Sequence, residues 1–94
     1  MNIQDSRYFS ATLRVDIPTK DLHEASSLAS AEIELEQALF SYATAGEGAC
    51  LIVHGIGSGV MKELVHEIVE KNPLVEDFQV SADGGSTIVL LGSV

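Results

Sequence analysis

Ala49-Cys50-Leu51-Ile52-Val53-His54-Gly55-Ile56-Gly57-Ser58-Gly59 is the stretch that decides the fold. It opens with a continuous apolar run that follows the turn Gly46-Glu47-Gly48, and a glycine series closes it. Such a run between turn signals reads as a short strand buried on both faces. The glycines then release the chain into a helix of about 59–71. Met61, Leu64, Val65 and Ile68 recur there at the i, i+3, i+4, i+7 spacing of a buried face, and Asn72-Pro73 stops it.

Downstream, the pattern predicts a strand at about Val75 to Val80, a turn over Ala82-Asp83-Gly84-Gly85-Ser86 and a last strand Thr87-Ile88-Val89-Leu90-Leu91. Upstream, a long helical stretch runs from about Lys20 to Ala43, with Leu28, Leu35, Leu39 and Tyr42 on one face and glutamates largely around it. Before it, Leu13, Val15 and Ile17 alternate with Thr12, Arg14 and Asp16, which predicts a half-buried strand ended by Pro18. Residues 1–9 lack periodicity and read as a flexible tail, leaving residues 10–94 as the domain. The expected fold is an α/β two-layer sandwich of order βαβαββ, a mixed four-stranded sheet covered by two helices.

Composition bounds the function. The chain has 94 residues, 46% hydrophobic but only 5% aromatic, so its core must be built from aliphatic side chains. The formal net charge of −9 weighs against broad phosphate binding, although a local basic cluster can outweigh the total. Cys50 is the single cysteine and reads as a small core residue, so no internal disulfide forms and an intracellular setting, cytoplasmic or nuclear, is expected. No apolar run approaches the about 20 residues of a membrane helix, and no membrane partner is expected.

The glycine loop is the chemical feature. A helix N-terminus carries unpaired N–H groups and partial positive charge, which suits a phosphate or carboxylate. His54 lies at the carboxyl end of its strand, where open α/β sheets bind ligands, and imidazole can donate to a phosphate or move a proton near neutral pH. The spacing is neither the dinucleotide fingerprint nor the Walker loop. His23 and His66 fall on predicted helices among solvated residues and read as surface histidines. Three scattered histidines and one cysteine lack zinc spacing, so no metal site and no cofactor is predicted.

The order of features extends beyond the loop. His54-Gly55-Ile56-Gly57-Ser58-Gly59 is followed by a helix, Asn72-Pro73-Leu74-Val75, Phe78, a glycine turn and Thr87-Ile88-Val89. This order resembles the Smr (small MutS-related) domain, whose hallmark is a His-Gly-x-Gly-x-Gly loop. The resemblance covers about residues 11–92. It implies a βαβαββ sandwich and binding of DNA or RNA. Many members nick DNA or cleave RNA, without an established universal metal requirement, and others are modules of longer chains, including MutS-type repair proteins.

The family's first motif, Leu-Asp-x-His-Gly, falls without gaps on Val15-Asp16-Ile17-Pro18-Thr19. Asp16 matches the aspartate, whereas Pro18 replaces the histidine, and Ile56 stands where lysine is common. The expected site therefore comprises His54 and Asp16 as catalytic groups, with Gly55, Gly57, Ser58, Gly59 and Lys62 binding phosphate. A nucleic-acid-binding domain with weak endonuclease activity is the first reading. The alternative is a protein-interaction module that keeps the fold without the chemistry, favoured by the acidity, Pro18 and Ile56.

Overall fold

A computed structural model describes residues 2–92. The elements are α1 (Ile3–Leu13), β1 (Thr19–Asp21), α2 (Leu28–Thr44), β2 (Ala49–Val53), α3 (Val60–Lys71), β3 (Val75–Val80) and β4 (Ser86–Leu91). The four strands form one mixed sheet in the order β1-β2-β4-β3. β1 runs parallel to β2, whereas β4 is antiparallel to both β2 and β3.

The βαβαββ core stands as expected, with α2 and α3 on one face. Leu22, Leu35, Leu39, Cys50, Ile52, Val65, Val69, Val89 and Leu91 form the cluster between those helices and the sheet. Burial pushes the Cys50 thiol up to about 12, so it behaves as a small apolar core group. The period of two along β4 sends Thr87, Val89 and Leu91 toward α2 and α3 and turns Ile88 and Leu90 to the opposite face. Every residue of β4 is buried, because that opposite face is covered too.

The cover is α1, and it corrects the reading of the N-terminus. Residues 1–9 were expected to be a tail and Thr12–Ile17 a strand; instead Ile3–Leu13 is a helix. Asn2 caps it, accepting a hydrogen bond from the Asp5 N–H at 2.8 Å. Tyr8 and Ala11, one turn apart, pack on Ala49, Ile88 and Leu90. Arg7 fixes the helix by pairing with Glu76 and donating to the carbonyls of Gly48 and Leu91, each at 3.0 Å. The alternation that suggested a strand is fortuitous: Leu13 and Val15 are both exposed.

The first strand is the three-residue segment Thr19–Asp21, which pairs with Leu51–Val53. Helix α2 correspondingly begins at Leu28 rather than near Lys20, where Ser27 caps it by accepting from the Ser30 N–H at 3.0 Å. The remaining elements fall within a residue of their predicted bounds.

Candidate functional site

Parallel pairing brings the ends of β1 and β2 to the same edge of the sheet. Asp21 stands opposite Val53, and the Leu22 N–H continues the ladder by donating to the Val53 carbonyl at 2.8 Å. Leu22 is fully buried, so the next residue, His23, points outward over the start of the glycine loop. A Cβ placed on Gly55 would lie 3.5 Å from the His23 Cβ. The two loops therefore lie side by side, with room for little more than a methyl group between them.

His23 is half exposed, and Asp21 holds it from two sides. The Asp21 Oδ1 accepts from the His23 backbone N–H at 3.0 Å and also contacts its ring Nδ1. Asp21 raises the His23 pKa above its ordinary 6.5, first by this hydrogen bond and then by its charge. His23 in turn lowers the Asp21 carboxyl. The pairing leaves Nε2 as the outward nitrogen, with the exposed Glu24 carboxylate 3.6 Å away.

The glycine loop is held from below. The N–H groups of His54 and Gly55 both donate to the Gly85 carbonyl, at 3.0 and 2.9 Å. Gly55 and Gly59 take φ of 83° and 88°, in the left-handed region that favours glycine. Gly59 is the N-cap of α3 and offers no side-chain cap. Ser58 Oγ approaches the Val60 N–H at 3.4 Å. Gly57 and Ser58 are exposed, and among the described residues the amides of Gly57, Ser58 and Gly59 donate to no backbone carbonyl. Lys62 lies in the first turn of α3 and makes no ion pair among the described residues. The corner thus offers free N–H groups, a helix N-terminus, one lysine and one aspartate-held imidazole.

The expected site residues divide. His54 is at the loop, but its ring is only 5% exposed and both nitrogens are occupied. Nδ1 lies 3.1 Å from the Gly55 carbonyl and Nε2 lies 2.9 Å from the Thr87 hydroxyl. Gly55 has committed its N–H to Gly85, which leaves Gly57, Ser58 and Gly59 to receive an anion. Asp16 is elsewhere. Arg14 binds it at 3.2 Å and binds Glu47 at 3.4 Å, just before β2 begins. That is the opposite end of the β1–β2 pair from His54, so the structure does not join Asp16 to the loop.

His66 also departs from the surface reading. It is half buried, places Nε2 2.9 Å from the same Thr87 hydroxyl, and packs on Phe78 with ring centroids 5.0 Å apart. Burial first, then His54 and Lys62, lowers its pKa. Among the described residues, no three His, Cys, Asp or Glu side chains form a group suited to a metal ion. No described helix is long and apolar enough to cross a membrane.

Comparison with known proteins bears on the family and the fold. The family model of the Smr domain matches residues 20–92. The chain belongs to the Smr family. Its fold is similar to the crystal structure of the Smr domain of Thermus thermophilus MutS2, with TM-score 0.75 and 28% identity over 81% of this chain and 99% of that one. A search of curated protein sequences returns no match. Smr domains are generally nucleic-acid-binding, with nicking activity in some.

The Smr match begins at Lys20, so Asp16 and Pro18 lie outside the matched residues. Within it, Asp21-Leu22-His23 at the end of β1 has the same Asp-x-His spacing as the family's first motif.

Proposed function

We propose that this domain binds a nucleic-acid phosphate at the corner between His23 and the glycine loop and cleaves the phosphodiester there. The observation that carries the reading is the closeness of His23 to Gly55, which puts an exposed, aspartate-held imidazole at the start of the loop that bears the free amides. The phosphate sits on the N–H groups of Gly57, Ser58 and Gly59 at the N-terminus of α3, and Lys62 offsets its charge. His23, whose protonated form Asp21 favours, donates its Nε2 proton to the leaving ester oxygen. Water attacks phosphorus, the phosphorus–oxygen ester bond breaks, and the proton of the water passes to solvent. Asp21 orients His23, and His54 fastens the loop from within.

Nicking of supercoiled plasmid and cleavage of structured RNA test the reading. His23→Ala is expected to lower the rate about 10²–10⁴-fold, as loss of a general acid does. Equal rates for wild type and His23→Ala would remove the catalytic claim. The charge of −9, together with Glu24 and Ile56 at the corner, favours a second reading as a protein-interaction module. Absence of oligonucleotide binding at low salt would select that one.

A further inference from the structure

Two imidazoles meet on one buried hydroxyl beneath the glycine loop. Thr87 is fully buried in the centre of the sheet, and its Oγ1 is 2.9 Å from His54 Nε2 and 2.9 Å from His66 Nε2. The rings stand edge to face, with centroids 6.2 Å apart. None of these three side chains is needed to donate to the phosphate.

Hydrogen-bond inventory fixes the protons. The Gly55 carbonyl can only accept, so His54 Nδ1 carries a hydrogen. In a neutral His54 the other nitrogen, Nε2, is then an acceptor, and the Thr87 hydroxyl must donate to it. That hydroxyl has given its single hydrogen away, so its oxygen accepts from His66, whose Nε2 is the donor. The chain runs one way: His66 Nε2–H to Thr87 Oγ1, Thr87 O–H to His54 Nε2, His54 Nδ1–H to the Gly55 carbonyl.

We propose that His66 is a positioning residue that reinforces, through Thr87, the His54 tautomer that the Gly55 carbonyl selects, and so fastens Gly55 and the glycine loop that follows it. If His66 is removed, the Thr87 oxygen loses the donor that keeps its own hydrogen directed at His54, and the Gly55 carbonyl alone then favours the tautomer. His54 Nε2–H can then donate to Thr87, and the Nδ1–H bond to Gly55 is given up in that fraction of molecules. The charged and titratable groups near the chain are Lys62 on α3, Asp83 in the β3–β4 turn and His23 beyond Gly55. Phe78 closes the β3 side with an apolar ring. The value of the device for cleavage rests on the phosphate site proposed above, but the device itself is measurable without substrate.

The test is nitrogen-15 NMR of the histidine rings in the unliganded protein near neutral pH, with amide exchange at Gly55. In wild type, His54 is expected to show hydrogen on Nδ1 and a lone pair on Nε2, and His66 hydrogen on Nε2. His66→Phe should bring in the His54 tautomer with hydrogen on Nε2. His66→Phe and Thr87→Val should each speed Gly55 exchange about tenfold, the size of one buried hydrogen bond. Thr87→Ser, which keeps the hydroxyl, should restore both signals. A wild-type His54 with its hydrogen on Nε2 would overturn the proposal, without recourse to any variant. So would a His54 tautomer unchanged by His66→Phe. These readings stay valid even if the protein cleaves nothing, and a cleavage defect in His23→Ala stays valid even if His54 has the other tautomer.

Discussion

At the scale of single residues, the site turns on the division of labour between two histidines. A histidine can serve as proton donor to a ligand only if one of its nitrogens reaches that ligand. His54 spends both nitrogens inside the protein, whereas His23 keeps Nε2 outward and receives Asp21 on the other side. The sign of the pH dependence follows. Because Asp21 raises the His23 pKa above 6.5, cleavage should persist somewhat above that pH and fall as pH rises through the raised value. Asp21→Asn should move that fall to lower pH, which a pH–rate profile would detect. Glu24 adds a charge that phosphate must displace from His23 Nε2. Glu24→Gln should therefore tighten oligonucleotide binding several-fold, measurable by fluorescence anisotropy; unchanged or weaker binding would place the phosphate away from Nε2.

At the scale of elements, the half-buried His66 links α3 to β4 and gives the fold an acid sensitivity. Its pKa is lowered in the native state, so the unfolded chain binds the extra proton more readily. Its contribution to stability is thus fully present above about 6.5 and is lost as pH falls from there through the lowered native value. The urea midpoint should drop over that window, and His66→Phe should flatten part of the drop. Helix α1 works on the other face. Tyr8→Ala should cost about 2–3 kcal/mol in urea unfolding by opening a cavity over Ile88 and Leu90, while leaving the cleavage rate unchanged.

The same elements show what was legible in the sequence. The run from Ala49 through Gly59 and the strand Val75–Val80 are readable because their signals are local: an apolar run in the first, Val75, Phe78 and Val80 among polar residues in the second, and glycine or proline at their bounds. β1 was not. Three residues, Thr19-Lys20-Asp21, carry no apolar alternation, and only backbone pairing with Leu51–Val53 makes them a strand. Leu13, Val15 and Ile17 meanwhile imitated one by chance. The ungapped motif therefore falls on Asp16 and Pro18, whereas the Asp-x-His spacing of Asp21-Leu22-His23 lies in and just after the strand that carries no such alternation. The seam of His54, Thr87 and His66 is likewise non-local, spanning β2, β4 and α3. A histidine at position 66 has no sequence signal that separates it from a surface residue until Thr87 is seen beneath it.

At the scale of the whole molecule, a chain of net charge −9 meets a polyanion at one small corner. Four of its five basic residues are Arg7, Arg14, Lys20 and Lys71, each paired with a carboxylate. That leaves Lys62 as the basic residue without an ion pair among the described residues, beside His23, whose Nε2 faces outward although Asp21 and Glu24 flank it. Each phosphate neutralised contributes a slope of roughly −0.9 to the dependence of log affinity on log salt for duplex DNA. A shallow slope of about −2 is expected, from weak but salt-sensitive binding; a slope several times steeper would require a basic surface that the described residues do not form. The most direct test of the central claim is amide and histidine-ring shift mapping during titration with a short oligonucleotide at low salt. The account expects the largest changes at His23, Gly57, Ser58, Gly59 and Lys62, with α1 unmoved. Changes centred on α1 or around Asp16, with the glycine loop silent, would contradict it.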